Sequence, residues 1–214
     1  MHMKIRAGRN WCLLAVAVIL AACSYAMPYE GTVTLPEAGN AKLAVVTVDE
    51  RPYVLNGKNP PAYVGIIRGG FGNPFNRDTD NGKPLADDFS ASIANSLTAK
   101  GFQVITISTP PASSPAAALQ ILQHSGAHRL ILVELRDWQS DTMINPTVNC
   151  DVTLHIYDSS GRELASVKDA ENYDMHGGSI FNTPGRSSDK VYQFYEHKII
   201  EWFSDPKIEA ALQN

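Results

Sequence analysis

Cysteine is scarce in this chain, three in 214 residues, which excludes a disulfide-dense scaffold. Positive charge is in deficit, with 18 Lys and Arg against 22 Asp and Glu. The apolar run at residues 11–22 is twelve residues long. A bilayer span needs about 20, so a polytopic membrane protein is excluded. There is no internal repeat and no low-complexity tract, which removes fibres and disordered tails. What remains is 44% hydrophobic and 19% charged, enough chain for one domain with a real core and too little for a large multidomain enzyme.

Residues 1–10 carry Lys4, Arg6 and Arg9 and no acid, and residues 11–22 follow as the short apolar run. A basic start, a short apolar stretch and small residues at its end form a secretory signal. The stretch closes Leu20-Ala21-Ala22-Cys23. This resembles the lipobox of bacterial lipoproteins. The resemblance implies cleavage between Ala22 and Cys23 and lipid on Cys23, which turns the membrane relationship from spanning to anchored. Ser24 follows, not Asp. In such lipoproteins that favours the outer membrane, facing the periplasm.

Cleavage would remove three basic residues and no acidic one, leaving 15 against 22, a net of −7. Such a surface has no footprint for a phosphate backbone, so a nucleic-acid partner is excluded. Cys12 would be discarded and Cys23 acylated, so Cys150 has no intramolecular partner and is expected to be buried packing.

Residues 24–40 hold Pro, Gly and Thr without periodicity and read as a tether. The expected organisation is therefore a signal peptide at 1–22, a lipidated cysteine and tether at 23–40, and one globular domain at 41–214. In that domain, strands are predicted at 41–48, 63–67, 102–108, 129–135, 148–157 and 162–169, the last two joined by a turn at 158–161. Helices are predicted at 84–100, 116–123 and 187–203, with a short one after Pro206. Residues 49–62 read as turns, 68–82 as a long Gly-rich loop and 172–185 as a second loop. Early strands alternate with helices and later strands form a meander, so the fold class is α+β (mixed α/β), helices packed on a mixed sheet.

The search for chemistry returns fragments. Ser187-Ser188-Asp189-Lys190 matches S-x-x-K, in which a lysine one turn away takes the serine proton, but its companion motifs are missing and a helix N-cap explains it. Gly70-x-Gly72 lacks the third glycine of a dinucleotide loop, since position 75 is Phe75. Asp78-Thr79-Asp80-Asn81-Gly82 misplaces the glycine of a calcium loop. The six histidines show no zinc-ligand spacing. No catalytic residue, metal or cofactor is assigned, and the chain reads as a non-enzyme. The feature left over is the 68–82 loop with Phe71, Asn73 and Phe75: its two rings either bury into the domain or, with Asn73, form a candidate partner-binding surface.

Several segments carry a further resemblance: VTVDER at 46–51, SLTAKGFQV at 96–104, the apolar strand after Gly126, the 158–161 turn and an acidic C-terminal helix. Together with the lipobox they resemble the YajG-like lipoproteins of Gram-negative bacteria. HSGAHRLILVEL and IYDSSGRELAS also look like the fold shared by the TolB amino-terminal domain and the lipoprotein activators of penicillin-binding proteins. Those resemblances imply a binding module and carry over no catalytic residue. The expectation is a non-enzymatic lipoprotein of the outer membrane that binds a protein partner of the cell envelope. One alternative is a small-molecule or lipid carrier with an apolar pocket between sheet and C-terminal helix. Another is a periplasmic hydrolase or transferase acting on wall or lipid through Ser187 and Lys190 or through a carboxylate pair that the sequence does not reveal.

Overall fold

Val and Leu crowd residues 43–48 and 130–135, and a segment apolar at nearly every position can only be buried on both faces. Both become central strands. The computed structural model describes residues 41–110, 112–143, 146–175 and 184–213. Within them lie β1 (Lys42–Asp49), α1 (Pro52–Leu55), β2 (Tyr63–Arg68), β3 (Pro74–Asp78), α2 (Leu85–Ala99) and β4 (Gln103–Thr106). Then follow α3 (Pro115–Gln123), β5 (Arg129–Thr142), β6 (Thr147–Asp158), β7 (Glu163–Asp174), α4 (Pro184–Phe203) and α5 (Pro206–Gln213). The strands form one seven-stranded mixed sheet, giving the α+β domain that the sequence implied.

The sheet forks on β5. One edge of β5 is paired with antiparallel β6 from Arg129 to Asp141. The other edge is shared. β1 runs parallel to it from Leu43 opposite Arg129 to Asp49 opposite Leu135. Further along, β2 takes over, with Gly65 opposite Ser140 and Ile67 opposite Thr142. β4 flanks β1, β3 flanks β2, and β7 is the outer strand beyond β6. Gly65 is required at the crossing: its φ is 141°, and a Cβ there would collide with the Ser140 backbone.

The two sheet faces differ. Leu43 and Val45 of β1, Ile131 and Val133 of β5, and Cys150, Val152, Leu154 and Ile156 of β6 point one way, under α2, α4 and α5. α2 presents Leu85, Phe89, Ile93 and Leu97 at four-residue spacing, all buried. Each such side chain, fully buried, stabilises by about 1.5–3 kcal/mol. Asp87 and Asp88 stand in its first turn, where the helix dipole favours acids. The opposite face is apolar only where Ala118 and Leu122 of α3 cover Ala44, Val46, Leu130 and Leu132. Beyond α3 it is polar: Arg136 pairs with Glu134 and donates to Thr153 at 3.0 Å, while His155 stands 3.2 Å from Glu163.

Four expectations need correction. Residues 68–82 are a hairpin, because Pro74–Asp78 pairs antiparallel with β2. β3 is exposed, so it lacks the alternation that betrays a strand. β5 continues seven residues past Leu135; a bulge between Leu135 and Asp137 resets the inward parity, so the pattern breaks although the strand does not. β7 runs to Asp174, so the segment starting at Asn172 begins as strand. The turn region 49–62 contains the short α1.

Two buried cations pin this frame. Arg51 is fully buried. It donates to Asp49 through Nε at 2.8 Å and Nη2 at 2.7 Å. It also donates to the carbonyls of Tyr63 at 2.5 Å and Pro61 at 2.8 Å. One guanidinium thereby joins the end of β1 to the start of β2. Beside it Tyr53 donates to Asp137 at 2.9 Å and accepts from the Trp138 amide at 3.2 Å, which holds the β5 bulge. Elsewhere the Lys198 ammonium of α4 reaches Asp169 at 3.0 Å, Tyr173 at 2.8 Å and Glu201 at 2.8 Å. Trp202 donates to the same Asp169 at 3.2 Å, so α4 is fastened to β7.

Removing Arg51 strands the largely covered Asp49 carboxylate and two carbonyls. Arg51→Met should destabilise by about 3–5 kcal/mol in urea unfolding. Arg68→Met, at a pair one-third exposed, should move the urea midpoint far less than Arg51→Met does. A second expectation concerns acid. Burial raises the Asp169 carboxyl, but hydrogen bonds from Tyr173, Lys198 and Trp202 outweigh it and hold it below the usual range. Its contribution is present above the unfolded value near 3.9 and is lost as pH falls through the lower folded value. The urea midpoint should therefore drop as pH falls below about 4. Asp169→Asn should start lower at pH 7 and show a shallower acid decline.

Candidate functional site

The β2–β3 hairpin is built to stand up. Gly69 donates to the Asn73 carbonyl at 2.9 Å and Gly72 to the Gly69 carbonyl at 2.8 Å, which closes the tip. Gly72 supplies the positive φ of 82° that this turn needs. Arg68 braces the base: Nε and Nη2 bond Asp141 of β5 at 2.8 and 2.7 Å. On this frame Phe71 is 99% exposed and Phe75 58% exposed, and Asn73 is exposed as well. The Phe75 ring lies over Gly69, where a Cβ would come within 3.2 Å of it. Phe71 reaches into solvent from the tip. Neither ring is buried in the domain.

A cavity of about 220 Å³ opens between β3, α2 and α4. Its floor is Val64, Leu85, Trp138, Val191 and Tyr195. Phe89, Trp138 and Tyr195 pack edge to face, with centroids 4.8–5.5 Å apart, so α2, β5 and α4 share one aromatic joint beneath it. The rim is polar. Arg77 donates to the Tyr192 hydroxyl at 2.8 Å and lies 5.1 Å over its ring; Tyr192 in turn bonds Asp80. Burial, seconded by Asp80, pushes the Tyr192 phenol up to about 12. Burial likewise raises Tyr195. Asp88 of α2 accepts from Asn81 at 2.8 Å. Burial raises its carboxyl above the ordinary range, against the opposing pull of Asn81 and Lys83.

The other sequence candidates are dispersed. Ala22 and Cys23 lie outside the described residues, as do the side chains of Ser187 and Ser188. Cys150 is 4% exposed, and burial raises its thiol, which makes it packing and not a nucleophile. His128 accepts from the Lys42 amide at 3.0 Å, and His124 bonds the Gln120 carbonyl at 2.7 Å. Among the described residues no three His, Cys, Asp or Glu side chains gather as a metal-binding group, and no helix is long and apolar enough to cross a membrane.

The sequence singled out Phe71, Asn73 and Phe75 but missed Asp141, the residue that braces them, because 73 positions separate it from Arg68. Its carrier alternative required an apolar pocket between the sheet and the C-terminal helix. The cavity touches α4, but its rim is charged and comes from β3 and α2. The Asp-Thr-Asp-Asn run at 78–81 was the available signal.

No family model matches the chain, and no curated protein matches it in sequence. Solved structures do. The chain is similar to XCC0632 of Xanthomonas campestris, a DUF330 protein, at 12% identity and a TM-score of 0.50, over 84% of this chain and 94% of that one. Matches to the PelC dodecamer of Paraburkholderia phytofirmans (15% identity, TM-score 0.42) cover 83% and 93% of the two chains. Those to lipoprotein GNA1162 of Neisseria meningitidis (14% identity, TM-score 0.38) cover 74% and 97%. The first of these likenesses is one of fold.

Proposed function

We propose that this chain is a non-enzymatic lipoprotein, tethered to the outer membrane through lipid on Cys23, that binds a protein partner of the cell envelope through its β2–β3 hairpin. The observation that carries the reading is the braced hairpin with Phe71 almost wholly in water. An exposed aromatic on a rigid support is the form an interface anchor takes, since little entropy is lost when it docks. Its placement fits. Leu43, just after the tether at 23–40 meets the domain, lies level with the first residue of β5, and the hairpin lies level with the last. Thirteen residues of β5 separate the two levels, about 40 Å at ~3.3 Å per residue. That separation supports the reading, because it keeps the tip well away from the point where the tether joins the domain. YajG-like membership is a finer reading, supported by the short motifs in the sequence.

A photoreactive residue in place of Phe71, in living cells, should yield one discrete crosslinked species that fractionates with the outer membrane. Phe71→Ser should remove at least about 2 kcal/mol of that interaction, the threshold of a hot spot. The Cys23→Ser protein should carry no labelled palmitate and leave the membrane fraction. A fractionated, folded protein with no crosslink at Phe71 or Phe75 would sink the hairpin reading; palmitate on the Cys23→Ser protein would sink the anchor.

A further inference from the structure

We infer that the base of the domain is a docking surface for the phosphates of an anionic phospholipid leaflet, through a groove lined by Arg129, Arg162 and Lys207. The inference rests on the lipid anchor at Cys23 proposed above, which brings a leaflet within reach, and not on the hairpin.

Position comes first. Arg129 opens β5 and lies opposite Leu43, two residues from Ala41, where the described chain begins. Asp158 closes β6 opposite Arg129, Arg162 follows in the turn to β7, and Lys207 stands in the first turn of α5. Together with Leu164 they line an open groove of about 550 Å³. Residues 23–40 number 18, and a chain of that length spans at most about 60 Å. An anchored domain could therefore stand anywhere within that distance of the leaflet. Only a contact made by the domain itself would fix its height and tilt. The groove lies at the end from which the chain runs to Cys23.

Charge comes second. The groove holds three cations against one carboxylate. Asp158 accepts from the Ser160 amide at 2.9 Å, from the Ser160 hydroxyl, and from the Arg162 amide and Nε, both at 3.0 Å. Those bonds, the Ser160 hydroxyl foremost, hold its carboxyl down at about 2. Its charge is thus neutralised within its own turn. Among the described residues the one ion pair in the groove is this Arg162 with Asp158, and the Arg162 side chain is 76% exposed. Arg129 donates only to neutral carbonyls, those of Ala211 at 2.8 Å and His128 at 3.0 Å. Lys207 is exposed. Lys42 widens the patch, its Nζ donating to the Ser125 carbonyl at 3.3 Å. The negative balance of the whole sequence averages this local excess away. A guanidinium matches two oxygens of a phosphate, and a lysine adds a point charge beside it. Each basic side chain at an anionic membrane surface strengthens adsorption about fivefold.

The full lipidated protein is reconstituted into vesicles of phosphatidylcholine, alone or with one-third phosphatidylglycerol, each holding a lipid with a nitroxide on its headgroup. A fluorophore on Ser159→Cys, in the exposed turn beside Arg162, reports the base. One on Gly70→Cys, where a Cβ meets open space, reports the hairpin tip. Quenching at Ser159→Cys should rise at least threefold with phosphatidylglycerol and fall back in about 1 M NaCl, while Gly70→Cys stays unquenched. Arg162→Gln with Lys207→Gln should lower the docked-to-undocked ratio at least tenfold. Lys58→Gln with Lys83→Gln, an equal change of charge on exposed side chains elsewhere, should leave it unchanged. Equal quenching in the two kinds of vesicle would overturn the inference, and so would equal loss in the two double variants. Flotation of the same samples separates this reading from the anchor. Protein that floats with pure phosphatidylcholine but shows no phosphatidylglycerol-dependent quenching keeps the anchor and loses the docking surface. Protein that floats only with phosphatidylglycerol, and sinks in salt, keeps the surface and loses the anchor; protein that floats with neither loses both.

Discussion

A single fully buried guanidinium sets the shape of this domain. Arg51 has to be paired, because an isolated charge in a low-dielectric interior costs far more than the fold can offer. Asp49 supplies two bonds, and the carbonyls of Pro61 and Tyr63 supply the rest. Meeting those four acceptors forces the chain to leave β1, turn through α1 and return as β2 beside the same edge of β5. The fork in the sheet follows from that. So does the hairpin, since β2 reaches the far end of β5 only because it starts where β1 stops. Tyr53, on α1 and next to Arg51, then locks the β5 bulge from outside. One ion cluster therefore determines where the hairpin stands and which way the cavity opens.

The aromatic joint does comparable work at the other end of the core. Phe89, Trp138 and Tyr195 come from α2, β5 and α4, and none of the three elements could move far without separating the rings. Trp138 faces inward only because of the bulge after Leu135. Without it Asp137 would point into the core. The irregularity thus places a large ring under the cavity and leaves a carboxylate for Tyr53. The cation at Lys198 is a separate device. It holds α4 to β7 through Asp169 and Tyr173, beyond the reach of the cavity.

What could be read from the sequence was whatever repeats with a fixed period. The four-residue spacing of Leu85, Phe89, Ile93 and Leu97 identified α2 and its buried face together, and the alternation from Val148 to Ile156 identified β6. Elements that escaped lacked a period for a physical reason. β3 has no buried face, and the second half of β5 changes parity mid-strand. The Asp49-x-Arg51 pair was visible as a motif, but nothing in its spacing revealed that Arg51 would be buried. Of the candidate sites, the segment carrying Phe71 and Phe75 was legible because glycines and an Asn-Pro pair surround them, but that both rings stay in solvent was not, since an edge hairpin with no buried face leaves no period to read. The cavity was not, because its walls converge from β2, β3, α2, β5 and α4, and only the folded sheet brings them together.

The run of β5 has a mechanical meaning. β1 and β2 both lie parallel to it, one at each end, and the chain enters beside its first residue while the hairpin rises beside its last. A pull between those two points runs along the strands and not across them. The hydrogen bonds joining β1 and β2 to β5 would be sheared all at once and could not be peeled one after another. A domain strung that way between a fixed end and a load resists as a unit, and its breaking force is set by the whole length of the ladder.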